Sequence, residues 1–149
     1  MLITILLTLF AFRNPLTDFT LYQYRYLLES LLQQGYVFLT FEQYCDSKSS
    51  PHSPLASSPD SPKYILLRHD VDLKAANSLA TAQIEHELGI HATYYFRVVP
   101  QSNQPEIIRA IADLGHEISY HYEDMTIRQG DTLKAYAHFQ QQLTYFRQF

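Results

Sequence analysis

The sequence has a single cysteine, Cys45, no tryptophan and only 4 glycines among its 149 residues. One cysteine excludes a disulfide within the chain and a zinc site built on several cysteines, so a metal would need histidine and carboxylate ligands. The few glycines form no glycine-rich loop of the kind that binds phosphates. Only 11 lysines and arginines stand against 15 aspartates and glutamates, which argues against nucleic acid as a partner.

What the sequence does contain is typical of one folded domain. It is 46% hydrophobic and 17% charged, a balance that favours a globular protein over a disordered one. The 12 tyrosines suit a sugar-binding cleft, but half-buried core tyrosines explain them equally well. We expect a domain over residues 20–149, with an exposed loop rich in serine and proline at 46–62 and an apolar extension over 1–19.

The apolar N-terminal stretch, residues 1–12, ends at Arg13 and Pro15. It is too short to cross a bilayer comfortably, and no basic residue precedes it as in a signal peptide. Three interpretations stay open: a packed strand, a signal or anchor remnant, and an unstructured extension. The predicted location is the cytoplasm, while residues 1–12 leave a secreted or membrane-anchored form open.

From residue 20 onward, hydrophobic periodicity alternates between that of helices and that of strands. Thr17, Asp18 or Thr20 can cap the first helix, and Asn103 is the predicted cap of the helix over 103–114. A short helical turn is predicted at 41–44. Such alternation with short links indicates parallel strands joined by helical crossovers, in a sheet or barrel. The predicted helices are 20–34, 73–88, 103–114 and 132–149, and the predicted strands are 36–40, 64–69, 92–98 and 117–122.

Polar side chains follow three of these strands where each strand ends. The carboxyl ends of parallel strands lie on one side of the sheet, which is where such proteins bind ligands. We therefore expect convergence of Asp70, Asp72, Arg97, His121, Glu123 and Asp124.

Asp70 and Asp72 suggest a division of labour. Two neighbouring carboxylates repel each other, so one of them needs a cation or a proton. A divalent metal on one leaves the other free as a general base, which suits metal-assisted hydrolysis. The alternative is structural: Asp72 caps the helix beginning at Leu73, and Asp70 pairs with Arg68 or His69.

Nearby residues could complete such a site. His121 and Asp72 offer one nitrogen and one oxygen ligand to zinc or a similar ion, with Asp124 or Glu123 as a third. Arg97 could hold the base carboxylate or the substrate, or it could be a surface arginine.

The other histidines have different expected roles. His69 could orient a carboxylate or act as a ligand. His116 lies at the opposite end of its strand and is expected to be structural. The remaining histidines are expected away from the site, with His138 exposed on the last helix.

At these residues the chain resembles the polysaccharide deacetylase superfamily (NodB homology, carbohydrate esterase family 4). More narrowly, it is similar to the subgroup whose first motif contains Arg-His-Asp-Val-Asp. The resemblance covers roughly residues 20–124. Its matching segments are 32–44, 67–72 (Leu-Arg-His-Asp-Val-Asp), 85–90, 92–97 and 115–124.

The resemblance implies a partial (β/α) barrel and a metal-dependent hydrolase, with zinc the expected metal and N-acetylated carbohydrate the substrate. It implies Asp70 as general base and Asp72 as metal ligand, with His121 matching the first histidine of a His-x-x-x-His pair. Met125 stands where the second histidine would be, so either Asp124 or Glu123 replaces it, or metal binding is weakened or lost.

The superfamily's general-acid histidine would come after Phe149, which suggests the N-terminal part of a longer domain. Two rival hypotheses are an inactive carbohydrate-binding relative and a different parallel α/β protein.

Overall fold

A computed structural model describes residues 20–49 and 62–149 as alternating helices and parallel strands. The predicted α/β class with parallel strands is therefore confirmed. The elements in chain order are α1 (Leu21–Gln33), β1 (Tyr36–Leu39), α2 (Phe41–Ser49), β2 (Lys63–Leu66), β3 (Arg68–Val71), α3 (Ala75–Glu87), β4 (Thr93–Phe96), α4 (Pro105–Asp113), β5 (Glu117–Tyr120), α5 (Asp124–Ile127) and α6 (Thr132–Phe146).

The described strands form two open sheets. β1 pairs with β2, while β3, β4 and β5 form a second sheet in that order, and every pairing is parallel. Within 20–49 and 62–149 no closed barrel forms, so the structure supports the coarser α/β class.

The predicted strand over 64–69 is in fact two strands, because the chain leaves the first sheet at Leu67. The Leu67 carbonyl accepts a hydrogen bond from the Thr93 N–H at 3.0 Å, so pairing resumes with β4. The apolar run could not reveal this change, since both strands are partly buried and apolar runs have no visible boundary.

The three-stranded sheet has one covered face and one face that is open at Arg68 and Asp70, although Phe41 of α2 covers Thr93 there. Side chains alternate along a strand, so Val71, Phe96 and Tyr120, which are register neighbours, share a face. All three are at most 5% exposed and pack in one core cluster with residues of α3, α4 and α6. The side chains of Arg68 and Asp70 leave β3 on the side opposite to Val71, so they lie on the open face.

Helix ends follow local capping chemistry in some places and tertiary contacts in others. Of the three candidate caps, Thr20 caps α1, with its hydroxyl accepting from the Gln23 N–H at 3.2 Å. The predicted cap of α4 is wrong: its N-cap is Gln104, and the Asn103 side chain accepts from the Tyr145 hydroxyl at 2.9 Å.

Two further differences concern α2 and α5. The predicted turn at 41–44 is the full helix α2, so residues 46–49 are helical and were wrongly placed in the loop; residues 50–61 lie outside the described ranges. The short helix α5 was not predicted.

The prediction for residues 1–12 also lies outside the described ranges. No helix in the described part of the chain is long and apolar enough to cross a membrane.

Candidate active site

Asp70 lies at the centre of the polar residues at the strand ends. Its Oδ1 accepts a hydrogen bond from Arg68 Nε at 2.7 Å, and its Oδ2 is 3.7 Å from His121 Nε2. The side chain is 42% exposed. The structural alternative for Asp70, pairing with Arg68, is therefore what the structure shows, but it occupies only one of the two carboxylate oxygens.

Arg68 is held from a second side by Tyr95. Its guanidinium carbon lies 4.0 Å from the centroid of the Tyr95 ring, a cation–π geometry. Tyr95 is the register neighbour of Asp70 on β4. The hydrogen bond with Asp70 is the main cause that raises the pKa of Arg68 above its usual value.

Arg97, just after β4, contacts a different carboxylate from the one expected. Its Nη2 and Nε lie 2.6 and 2.8 Å from Glu123 Oε2, while Asp72 Oδ1 is 4.0 Å away. The side chain is 26% exposed, so Arg97 is not a free surface arginine. It connects Glu123 with Asp72 and leaves Asp70 to Arg68.

Ser102, which sequence reasoning missed, fixes the loop that carries Arg97. The Arg97 N–H donates to Ser102 Oγ at 3.1 Å, and the Ser102 hydroxyl donates to the Val71 carbonyl. Ser102 is fully buried. The ends of β3 and β4 are thereby locked together, which positions the side chains that follow them.

His121 follows β5 and faces the same open side. Its N–H donates to the Phe96 carbonyl at 2.8 Å, which extends the β4–β5 pairing by one residue. The imidazole is 22% exposed, and its Nδ1 is buried without a hydrogen-bond partner in the described structure.

Asp124 makes its contacts elsewhere, beside α6. Its Oδ1 accepts from the Tyr120 hydroxyl at 3.2 Å and from His138 Nδ1, whereas its Oδ2 is buried without a partner among the described residues. Burial and the nearby Asp124 charge raise the pKa of Tyr120. The expectation that His138 is exposed is wrong, because its side chain is 13% exposed and contacts this carboxylate.

A shallow pocket of about 330 Å³ borders the acidic pair on the α3 side. Asp72 does not cap α3: the N-cap residue is Lys74, which makes no side-chain capping bond. The structural alternative for Asp72 is therefore wrong. The pocket is lined by Asp70, Val71, Asp72, Leu73, Lys74, Asn77 and Ser78.

The donor atoms at the strand ends fit a divalent metal in kind. Carboxylate oxygens and imidazole nitrogens are zinc ligands, and two buried atoms of the expected ligands, His121 Nδ1 and Asp124 Oδ2, lack partners within residues 20–49 and 62–149. Asp72 and His121 would be the residues at this edge to hold it, and Asp124, the third expected ligand, is instead bonded to Tyr120 and His138. In the described part of the chain, however, no three His, Cys, Asp or Glu side chains are grouped closely enough to enclose a metal.

A second polar cluster, which we call the Glu85 cluster, lies on the covered face of the same strands. The Glu85 carboxylate is fully buried and accepts from His69 Nε2 at 2.7 Å, from the Tyr94 hydroxyl at 2.8 Å and from the Tyr24 hydroxyl. These donors come from β3, β4 and α1. His69 therefore orients a carboxylate, as one interpretation expected, but that carboxylate is Glu85.

His116 borders the Glu85 cluster as a neutral imidazole. Its Nδ1 accepts from the Ala92 N–H at 3.1 Å, and its Nε2 donates to the Ala82 carbonyl at 3.0 Å. The 3.5 Å contact between Nδ1 and Glu85 Oε2 consequently joins two acceptors and is no ion pair. Burial lowers the pKa of His116, in agreement with this neutral form.

The chain was compared with protein families, curated proteins and solved structures. No protein-family model matches the chain, and neither the curated proteins nor the solved structures gave a match.

Proposed function

We propose that the chain belongs to the polysaccharide deacetylase lineage and that its site is that of a metal-dependent hydrolase removing N-acetyl groups from sugars or polysaccharides. One observation carries this proposal. Asp70 offers a carboxylate oxygen 3.7 Å from His121 Nε2, at a strand edge that Asp72, Arg97 and Glu123 also reach. A base, a nitrogen ligand and an oxygen ligand on one edge are the parts that amide hydrolysis needs.

Asp70 is the proposed general base. Its Oδ2 is free of hydrogen bonds to the described protein groups and faces the open side of the sheet. There it can take a proton from water as that water adds to the acyl carbon. Cleavage of the carbon–nitrogen bond then yields acetate and a free amine, and the proton removed by Asp70 is available to the amine.

The surrounding groups position the reactants. Arg97, paired with Glu123 and near Asp72, keeps a positive charge beside the acidic edge. His121 supplies the imidazole next to Asp70. A divalent metal would polarise the acyl carbonyl and acidify the attacking water; Asp72 and His121 lie at this edge to hold it, whereas Asp124 is bonded to Tyr120 and His138.

A second candidate is a catalytically inactive carbohydrate-binding relative. Met125 occupies the position of the second histidine expected from the resemblance and is 50% exposed, without a ligand's chemistry for such a metal. The lack of a three-residue metal group in the described ranges also favours this candidate.

Metal content and acetate release test the two candidates together. The full chain is loaded with zinc, its metal content is measured, and acetate is assayed with oligomers of N-acetylglucosamine. The hydrolase predicts chelator-sensitive turnover that Asp70→Asn lowers by about 10²–10⁴-fold. Oligomer binding without acetate release, in the wild type and in Met125→His, would instead support the binding relative.

A further inference from the structure

We propose that Arg68, rather than Arg97, is the positioning residue for the base: it fixes the Asp70 carboxylate so that Oδ2 faces the reaction site. This inference rests on the proposed function for its chemical meaning. Its geometric part stands on contacts among β3, β4 and His121.

The first contact divides the two oxygens of Asp70. Arg68 and Asp70 are two residues apart on β3, so their side chains leave the same face of the strand. The 2.7 Å bond from Arg68 Nε occupies Oδ1, and Oδ2 remains near His121. An exposed aspartate without this bond would rotate between orientations, and only some of them would aim an oxygen at a water beside His121.

The second contact fixes the arginine itself. The guanidinium carbon lies 4.0 Å from the centroid of the Tyr95 ring, so this ring holds the arginine while its Nε–H donates to Asp70. Lysine cannot reproduce this, because it has neither the planar group nor a donor at the Nε position of arginine. The geometry therefore asks for arginine and not merely for positive charge.

The third observation concerns Arg97, the other arginine near the acidic pair. Arg97 directs both its Nε and its Nη2 to Glu123, and its nearest approach to the acidic pair is 4.0 Å, to Asp72. Arg97 thus holds the edge of the site together, and Arg68 is the arginine bonded to Asp70.

Steady-state kinetics separate a positioning role from general stability. We compare the wild type with Arg68→Ala, Arg68→Lys and, as a control, Arg25→Ala, which removes a half-buried arginine paired with Glu87 between α1 and α3. The proposal predicts that kcat falls about 10–100-fold in both Arg68 variants while KM changes little, the size expected for one hydrogen bond to a charged group. Added methylguanidinium should restore part of the kcat of Arg68→Ala but not of Arg68→Lys.

Equal kcat in the wild type and Arg68→Ala would overturn the proposal, as would full activity of Arg68→Lys. A fall matched by Arg25→Ala would also overturn it, because the effect would then come from stability. Urea unfolding of each variant identifies any that does not fold.

An NMR measurement keeps the inference testable without turnover. In the wild type, the Arg68 Nε–H should exchange with water more slowly than that of exposed Arg147, and Asp70→Ala should remove the difference. Fast exchange in the wild type would overturn the inference even if the enzyme is active. Slow exchange in a chain that releases no acetate would instead sustain the Arg68–Asp70 geometry and overturn the proposed hydrolysis.

Discussion

The two faces of the three-stranded sheet carry polar clusters of opposite character. On the covered face, the fully buried Glu85 carboxylate accepts hydrogen bonds from three elements. At the open edge, Asp70 and Asp72 are 42% and 56% exposed, and one oxygen of Asp70 has no hydrogen-bond donor among the described residues. His69 and Asp70 are adjacent on β3, yet each belongs to a different cluster.

This difference shows which polar groups stabilise the fold and which remain available for chemistry. A buried carboxylate is tolerated only when its hydrogen-bonding capacity is filled, and Glu85 satisfies that condition. Groups with unfilled capacity, such as Asp70 Oδ2, contribute little to stability and are free to meet a ligand. Substitutions on the two faces should therefore have different consequences, and the following experiments test that difference.

The largest effect on stability is expected from Glu85→Leu. It leaves the Tyr24 and Tyr94 hydroxyls and the His69 N–H without this acceptor, and each buried donor left unsatisfied should cost about 1–3 kcal/mol in the free energy of unfolding. Glu85→Gln, which keeps an acceptor oxygen, is the matched control and should cost less. Urea unfolding measures both, and equal stability of Glu85→Leu and wild type would show that the cluster is not a stabilising unit.

Tyr94→Phe should have the next largest effect. It removes only the hydroxyl that donates to Glu85 Oε2 at 2.8 Å, and hydrogen bonds to charged groups contribute about 1.5–3 kcal/mol. Tyr122→Phe, at a side chain that is 66% exposed, is the control and should change stability little. If Tyr94→Phe and Tyr122→Phe lower the free energy of unfolding equally, burial of the hydrogen-bond acceptor makes no difference to stability here.

The pH dependence of stability should identify His116. Burial lowers its pKa in the folded protein, so below its unfolded pKa of about 6.5 the unfolded chain binds a proton that the folded chain does not. Stability should therefore fall as the pH drops below that value, by at most about 1.4 kcal/mol per pH unit.

In His116→Gln the glutamine can accept from Ala92 and donate to Ala82 without titrating, so the loss of stability at acid pH should become smaller. His86→Gln, at an exposed histidine, serves as the control. Unfolding midpoints measured from pH 7 downward test this prediction. If stability falls as steeply with pH in His116→Gln as in the wild type, the acid sensitivity comes from other groups.

The smallest effect on stability is expected at the open edge. Asp72→Asn removes a charge that is 56% exposed and 4.0 Å from its nearest cation, so the free energy of unfolding should stay within about 0.5 kcal/mol of wild type. Thermal unfolding of the metal-free chain measures it. A loss comparable to that of Glu85→Leu would mean that the open edge is as structural as the covered face.

The sequence could reveal the parallel α/β class and the meeting of Asp70 with His121, because both follow from strand order and from where parallel strands end. It offered the Arg68–Asp70 pair only as one alternative, and it could not reveal the pairing of Arg97 with Glu123, since this depends on the loop held by Ser102. It also could not identify Glu85 as buried. Nothing in the sequence of α3 distinguishes this glutamate, because its three hydrogen-bond donors come from distant segments. His138 was misplaced for the same reason, because its partner Asp124 lies in the unpredicted helix α5.

Leu67, where the chain passes from one sheet to the other, has a consequence for cooperativity. It packs against the core cluster that contains Val71 and also against the smaller cluster of Leu28, Ile84 and Ile90. Local opening can therefore spread from the β1–β2 sheet to the three-stranded sheet through this side chain. Truncating Leu67 should split hydrogen exchange into two independent unfolding units, with the strand that bears Asp70 in the more slowly exchanging one.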